Sequence, residues 1–404
     1  MGLIKLLKRN HLSFSQRIVT AFSCITILLI VNTISVFAQD AERTQIEEIP
    51  DHWSIEEARA WYDKQPWLVG CNYIPANAIN QMEMWQADSF DLDTMDKELT
   101  WAEDLGFNTL RVYLHDLVWG QDPEGLYQRM DKFLDLCDGH GMRVLFVFFD
   151  DCHCDDPVAG KQPPVLKGVH NSGWAQSPGK DLVRRYHGGN ATEEEKKRLQ
   201  GYVQETMRHF KDDKRVLAWE LYNEPGRSDG EKSVSLLLDA WKWAREVNPS
   251  QPICSTAEGS AGKIFVDIAR ANSDVISFHS YSIKTLEEGI QTYQQMGRPA
   301  MCTEYMARPG MPVQKAMPIL KKHGVAAINW GFVSGKTGTV WGWKTKKGKN
   351  LNELRKQKEN ILQPGEAFPE PKVWFHDIYR VDGTPYSKDE IDFIKKMAGK
   401  QRKE

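Results

Sequence analysis

The sequence predicts an α/β fold in which strands and helices alternate, a (β/α)8 or TIM barrel. Eight short apolar segments that suit buried strands recur about 25–50 residues apart, and each is followed by a helical or loop segment. Residues 143–149, Arg-Val-Leu-Phe-Val-Phe-Phe, form a nearly continuous apolar run, which is typical of parallel strands covered on both faces. A doubly wound open sheet is the alternative, but no Gly-x-Gly-x-x-Gly pattern follows the first strand.

The elements follow in order along the chain. The predicted strands are residues 67–73, 108–113, 143–149, 216–222, 252–256, 275–278, 300–303 and 325–330. The predicted helices are residues 53–64, 92–105, 124–140, 191–211, 233–247, 263–271, 286–296, 312–323 and 388–398. Gly106 and Gly141 directly follow two of these helices, where glycine commonly ends a helix. A Gly- and Pro-rich stretch over residues 154–190 predicts a long loop.

Residues 1–38 are predicted to be a signal peptide. Basic residues precede an apolar run over residues 18–31, and Val-Phe-Ala at residues 36–38 fits a signal peptidase site before Gln39. An uncleaved membrane anchor is the alternative, because residues 18–38 approach the length of about 20 residues that spans a bilayer. Polar residues dilute this stretch, which favours cleavage and export to the periplasm or the extracellular space. No second long apolar segment follows, so no stable membrane span is expected after cleavage.

Residues 39–404 are predicted to form one domain, with a barrel core over about residues 67–340 and a tail over residues 341–404. Trp374, Phe375, Ile378 and Tyr379 require burial, so the tail is expected to wrap around the barrel. The domain carries 48 basic and 55 acidic residues, a net charge of −7. Such an acidic domain is a poor general binder of nucleic acid, whose affinity for proteins comes largely from its phosphates.

Six cysteines follow the predicted signal peptide, an even number that permits disulfides without defining their pairing. Cys152, His153 and Cys154 resemble part of a metal cluster, but no second Cys or His pair lies at a spacing suited to zinc. We therefore predict neither a metal nor a cofactor.

Two carboxylic acids end the predicted strands four and seven. Glu224 lies in an Asn-Glu-Pro segment after residues 216–222, and Glu304 follows residues 300–303. The carboxyl ends of barrel strands form the active site, so both acids are expected to face one cleft. One protonated and one ionised carboxyl group can flank and cleave a glycosidic bond. Taken singly, each acid could be structural, but the pair favours catalysis.

With these residues in view, the sequence resembles the clan A glycoside hydrolases, and family 5 most of all. Residues 221–225, Leu-Tyr-Asn-Glu-Pro, are similar to the clan's Asn-Glu-Pro motif, and residues 303–305 are similar to its strand-seven nucleophile segment. The resemblance implies an O-glycosyl hydrolase that acts on a β-linked oligo- or polysaccharide by double displacement. Glu224 would be its acid/base and Glu304 its nucleophile, and the product would retain the β configuration.

The resemblance also implies a substrate-binding set. Arg111 matches the clan's arginine beside the nucleophile, and Phe-His-Ser-Tyr at residues 278–281 resembles the family's His-x-Tyr. In that motif Tyr281 would hydrogen-bond the nucleophile, while His279 would face the sugar. Trp330 matches the tryptophan that forms the floor of the −1 subsite.

Two further ligands complete the predicted set. Asn223 is expected to donate to the sugar 2-hydroxyl, an interaction that strengthens in the transition state. His153 is a candidate substrate ligand in the strand-three loop, where the family often presents paired histidines instead of Asp-Asp-Cys-His. One or two tryptophans in loops on the catalytic face are expected to stack on sugar rings; the candidates are Trp85, Trp119, Trp174, Trp341 and Trp343.

The local electrostatics predict different protonation states for the two acids. Arg111 is expected to keep Glu304 ionised, and poorly solvated surroundings are expected to raise the pKa of Glu224. A salt bridge inside the barrel is the structural alternative for Arg111, and core packing is the alternative for Trp330. A carbohydrate-binding barrel without catalysis is the functional alternative, but it would not need both carboxylates.

Overall fold

The computed structural model describes residues 49–152, 156–257 and 259–399. The predicted signal peptide over residues 1–38 lies outside these residues, and so do His153 and Cys154. The predictions made for them stay predictions.

Eight parallel strands form a nearly closed barrel, as predicted. They are β1 (Val69–Asn72), β2 (Thr109–Tyr113), β3 (Arg143–Asp150), β4 (Val216–Asn223), β5 (Ile253–Cys254), β6 (Ile276–His279), β7 (Ala300–Glu304) and β8 (Ala326–Asn329). Their order is β5-β4-β3-β2-β1-β8-β7-β6, and a parallel bridge between Thr256 and Ser277 joins the two ends beyond β5.

Helices surround the barrel. Those of the described residues are α1 (Ile55–Tyr62), α2 (Gln81–Trp85), α3 (Leu92–Leu105), α4 (Asp116–Gln121), α5 (Pro123–Gly139), α6 (Lys180–His187), α7 (Glu193–His209), α8 (Val234–Val247), α9 (Lys263–Asn272), α10 (Ile283–Gln294), α11 (Val313–Lys322), α12 (Leu351–Arg355) and α13 (Lys388–Ala398). Helices α2, α4, α6 and α12 were not predicted. Helix α6 lies in the segment predicted to be a loop; it is short and strongly polar, and its apolar face consists of only Leu182 and Val183.

Close packing of β1 against β2 depends on one glycine. A Cβ atom added to Gly70 would lie 1.6 Å from the carbonyl oxygen of Thr109, so no larger residue fits there. The same register pairs Asn72 with Arg111 at the carboxyl ends of these strands. The backbone contact therefore brings two polar side chains together at the edge of the barrel where the strands end.

The tail packs back onto the barrel, as its apolar residues require. Trp374, Ile378 and Tyr379 are buried, and the backbone N–H groups of Ile378 and Tyr379 donate to the carbonyl of Phe332 at 2.8 and 3.0 Å. Helix α13 is joined to the loop after β7 by a buried ion pair between Arg308 and Glu390.

Among the described residues, no helix combines the length and the hydrophobicity that crossing a bilayer would require. The cysteines of this part of the chain are free thiols at Cys71, Cys137, Cys152, Cys254 and Cys302.

Candidate active site

The carboxyl ends of the strands open into a cleft of about 590 Å³. Of the predicted catalytic and substrate-binding residues, leaving aside the candidate stacking tryptophans, six line this cleft: Asn223, Glu224, His279, Tyr281, Glu304 and Trp330. Arg111 is fully buried beneath them. The structure therefore brings together all the predicted catalytic and substrate-binding residues of this set that it describes.

A strained turn after β4 directs Glu224 into the cleft. Glu224 adopts a left-handed backbone conformation with φ of 42°, and Gly226 follows with φ of 85°. A Cβ atom on Gly226 would lie 2.3 Å from the ring of Phe265, and the N–H of Gly226 donates to Asp151 Oδ2 at 2.6 Å. Non-glycine residues at positive φ cost about 1–3 kcal/mol and persist only where surrounding contacts hold them. The buried carboxylate of Asp151 supplies such a contact.

Glu224 and Glu304 lie on either side of His279. The Nδ1 atom of His279 is 2.9 Å from Glu224 Oε1, and its Nε2 atom is 3.5 Å from Glu304 Oε1. One carboxylate oxygen of Glu224 lies within 4.8 Å of one carboxylate oxygen of Glu304. Because the register shifts between Phe278 and His279, His279 pairs directly with Glu304 across β6 and β7.

Three donors hold the carboxylate of Glu304. Arg111 Nη1 lies 2.8 Å from Oε1, and the hydroxyl of Tyr113 lies 3.0 Å from the same oxygen. The hydroxyl of Tyr281 donates to Oε2 at 2.7 Å. These hydrogen bonds orient the carboxylate, so Glu304 is positioned at both of its oxygens.

Arg111 is itself held by a buried network. Its Nε and Nη2 atoms bond both carboxylate oxygens of Glu220, at 3.1 and 2.5 Å. Its Nη1 atom also donates to Asn72 Oδ1 at 2.8 Å. Burial disfavours the charged guanidinium, but Glu220, Tyr113 and Glu304 outweigh this effect and hold the pKa of Arg111 well above its ordinary value. Glu220 was not predicted as a site residue, although an acid within an apolar strand is a signal for one.

The side-chain amide of Asn223 is fixed on both sides. Its Oδ1 atom accepts from Arg111 Nη2 at 2.7 Å, and its Nδ2 atom donates to Asp150 Oδ1 at 2.8 Å. Asp150 is fully buried and also accepts from Trp174 Nε1 at 2.8 Å. Burial raises the pKa of Asp150 to about 7. These contacts leave Asn223 in one orientation at the edge of the cleft.

The expected rise in the pKa of Glu224 is wrong for this structure. Burial does raise this pKa, but the hydrogen bond and charge of His279, together with Arg227 and the Cys152 thiol, outweigh burial and lower it. Burial in turn lowers the pKa of His279, but Glu304 and Glu224 outweigh burial and raise it. The composition of the cleft suggested poor solvation, whereas the direct contact with His279 was visible only in three dimensions.

Aromatic side chains border the cleft. Trp330 lines it and packs against Trp174, with ring centroids 5.4 Å apart. Trp343, from the tail, is 44% exposed and packs edge-on against Tyr281, with centroids 4.9 Å apart.

Not all the predicted tryptophans reach the cleft. Trp85 and Trp119 are buried within α2 and α4. Trp174 and Trp343 do line it, and the tail also adds Lys346 and Lys347, for which the sequence offered no role.

One nitrogen or oxygen atom from each of Glu224, His279 and Glu304 could bind a common metal ion, because these atoms lie within 4.8 Å of one another. However, Arg111 Nη1 lies 2.8 Å from Glu304 Oε1. A cation at that position would face this guanidinium, so the charge of the site opposes metal binding.

Known proteins share this architecture. Residues 70–334 match the family model described as Cellulase (glycosyl hydrolase family 5). A comparison with curated protein sequences finds no significant match.

Solved structures share the fold at low sequence identity. A GH5_18 protein from Streptomyces cattleya in complex with GlcNAc is 13% identical with a TM-score of 0.55, over 83% of this chain and 80% of that one. A glycoside hydrolase family 5 mannosidase from Rhizomucor miehei is 14% identical with a TM-score of 0.51, over 83% and 94% of the two chains. An endo-β-1,4-mannanase from Thermotoga petrophila is 14% identical with a TM-score of 0.50, over 85% and 80%.

The family match covers the whole barrel, from β1 to the loop after β8. The chain is therefore a glycoside hydrolase that belongs to glycosyl hydrolase family 5.

Proposed function

We propose that this enzyme is a retaining β-glycoside hydrolase that cleaves a β-linked oligo- or polysaccharide, with Glu304 as the nucleophile and Glu224 as the acid/base. The observation that carries the proposal is the short separation of the two carboxylates, whose nearest ligand oxygens lie within 4.8 Å. Retaining enzymes hold these groups about 5–5.5 Å apart, whereas inverting enzymes hold them about 6.5–9.5 Å apart to admit a water molecule.

In the first step, Glu304 attacks the anomeric carbon and forms a glycosyl ester. Arg111, Tyr113 and Tyr281 support this role because each donates to the carboxylate and so orients it toward the cleft. The glycosidic oxygen leaves with its electron pair and must receive a proton.

The pair of Glu224 and His279 supplies that proton. The protonated imidazole can pass its Nδ1 proton to Glu224 across their 2.9 Å hydrogen bond, and Glu224 then delivers it to the leaving oxygen. In the second step, Glu224 takes a proton from water while the oxygen of that water attacks the anomeric carbon and breaks its bond to Glu304, and the proton returns from Glu224 to His279 across the same hydrogen bond. The raised pKa of His279 supports this sharing, because it favours the protonated imidazole beside Glu224.

The remaining cleft residues suit a carbohydrate substrate. Asn223 can donate Nδ2 toward a ring hydroxyl, while Trp330, Trp174 and Trp343 offer aromatic faces or edges for sugar rings. Two of the similar structures are named as a mannosidase and a mannanase, so the first substrate panel should include β-mannosides as well as β-glucosides.

Proton NMR during the first minutes of hydrolysis tests the stereochemistry. A retaining mechanism releases the β anomer first, and the α anomer appears only with mutarotation. An initial α anomer would refute the double displacement and the role given to Glu304.

Replacing Glu304 with Gln tests the nucleophile. The amide keeps the shape and most hydrogen bonds, so we expect sugar binding to persist while turnover falls by several orders of magnitude. Glu288→Gln, an exposed position on α10, is the matched control and should turn over like the wild type. Activity of Glu304→Gln within about tenfold of that control, or about 1.4 kcal/mol of barrier, would place the nucleophile elsewhere.

We further propose that residues 1–38 direct export and are then removed. The supporting pattern is the basic, apolar and small-residue order of this segment. N-terminal sequencing of the exported protein should begin at Gln39. Recovery of the intact N-terminus in the membrane fraction would instead indicate a retained anchor.

A further inference from the structure

A thiol lies inside the catalytic cleft beside the proposed acid/base. Cys152 is the second residue after the end of β3, and its Sγ atom lies 3.1 Å from Glu224 Oε2. Its backbone N–H donates to Asp150 Oδ1 at 3.0 Å, which fixes the chain at this point. Of the five cysteines that the structure describes, only Cys152 is partly exposed.

We propose that Cys152 is a positioning residue for Glu224, whose thiol holds Oε2 while His279 holds Oε1. The inference rests on the proposed role of Glu224 as the acid/base. It gives Cys152, which the sequence suggested only as part of a possible metal cluster, a role beside the acid/base.

The chemistry of a thiol suits a carboxyl group that must change its protonation state. During double displacement Glu224 is protonated, then ionised, then protonated again. The S–H group can donate to the ionised carboxylate, and the sulfur can weakly accept from the protonated acid. Because sulfur is a poor acceptor, it would not compete with the leaving oxygen for the proton.

The surroundings keep the thiol protonated. Burial raises the pKa of Cys152 well above its ordinary value, and the negative charges of Glu224, Asp150 and Glu304 raise it further. The group that faces Glu224 is therefore a neutral S–H donor and not a thiolate that would repel the carboxylate.

Two cationic groups also face Glu224. His279 approaches from β6, and Arg227 Nε lies 3.7 Å from Oε2 on the loop after β4. The 3.1 Å thiol contact is the shorter of the two contacts to Oε2. The backbone of Glu224 is in the left-handed region, a conformation that persists only where surrounding contacts hold it. Contacts at both carboxylate oxygens help to keep the Glu224 side chain pointing into the cleft.

The test compares Cys152→Ala, Cys152→Ser and the matched control Cys137→Ala, which removes a buried thiol on α5. The ionisation of Glu224 is followed by NMR of protein labelled with ¹³C at the glutamate carboxyl carbons, with Glu224→Gln identifying its resonance. The pH dependence of kcat is measured on the same variants.

We expect Cys152→Ala to move the titration of Glu224 to higher pH by about 0.5–1 unit, because the ionised carboxylate of Glu224 loses the thiol as a hydrogen-bond donor. The alkaline limb of kcat should move in the same direction, and kcat at the optimum should fall at least fivefold. Cys152→Ser should restore most of both properties, because a hydroxyl also donates and accepts.

The NMR measurement separates this inference from the proposed function. If no β-glycoside is hydrolysed, the proposed function fails, but the carboxyl titration still decides whether the thiol acts on Glu224. A titration in Cys152→Ala that stays within about 0.2 pH unit of the wild type would overturn the inference. An equal shift in Cys137→Ala would also overturn it, since the effect would then reflect general loosening of the barrel.

Discussion

Replacing Glu220 with Gln would test whether the buried charge network positions the proposed nucleophile. Glu220 and Arg111 are both fully buried, and Glu220 also accepts from the hydroxyl of Thr256 at 2.7 Å. Glutamine keeps the size of the side chain, but its amide nitrogen would face groups that are themselves donors. One of the two bonds to Arg111 is therefore lost along with the negative charge.

The magnitude follows from the burial of the pair. Removing one partner of a buried ion pair costs about 3–5 kcal/mol, because the other charge is left without compensation. Arg111 keeps Glu304 as a partner at 2.8 Å, so we expect the lower end, a loss of about 3 kcal/mol in the free energy of unfolding. A shift of Arg111 would also displace Glu304, and a misplacement of about 1 Å at a reacting group can cost about a hundredfold in rate.

Urea unfolding monitored by tryptophan fluorescence, together with kcat on an aryl β-glycoside, measures both effects. Glu288→Gln makes the same chemical change at an exposed position and should stay within about 0.5 kcal/mol of the wild type. If Glu220→Gln unfolds like this control and keeps the wild-type kcat, the network neither stabilises the barrel nor positions Glu304.

Three further predictions concern other parts of the molecule. Burial raises the pKa of Glu98 to about 7, so the folded state binds a proton that the unfolded state releases between about pH 4.5 and 7. The unfolding free energy of the wild type should therefore decline across this window relative to Glu98→Gln, by about 3 kcal/mol in total, and parallel curves would contradict the assignment. Glu224→Ala should slow substrates with poor leaving groups at least about a hundredfold more than activated aryl glycosides, since protonation matters least for a stable leaving oxygen; equal losses would make Glu224 structural. Trp343→Ala should raise KM for oligosaccharides about tenfold, or about 1.4 kcal/mol, without changing the unfolding midpoint. The control is Val381→Ala, which truncates another exposed apolar side chain. Equal KM values for the two variants would show that Trp343 is not part of the binding surface.

The barrel and the placement of its two acids could be predicted from local patterns in the amino-acid sequence. Strand and helix periodicities are local, so residues 143–149 and 92–105 could be recognised from their own side chains. A barrel also brings the carboxyl ends of all its strands to one face. For that reason, Glu224 and Glu304 could be placed in one cleft although they are distant in sequence.

The groups that surround those acids could not be predicted in this way, because they come from distant parts of the chain. Arg111 contacts Glu220 and Glu304, which lie 109 and 193 residues further along the chain, and no local pattern encodes such pairs. The low pKa of Glu224 depends on His279 at 2.9 Å and on Cys152 at 3.1 Å, whereas composition alone suggested the opposite shift. Electrostatic effects fall with distance and change sign with the partner, so their direction follows from the packing of strands that are remote in sequence.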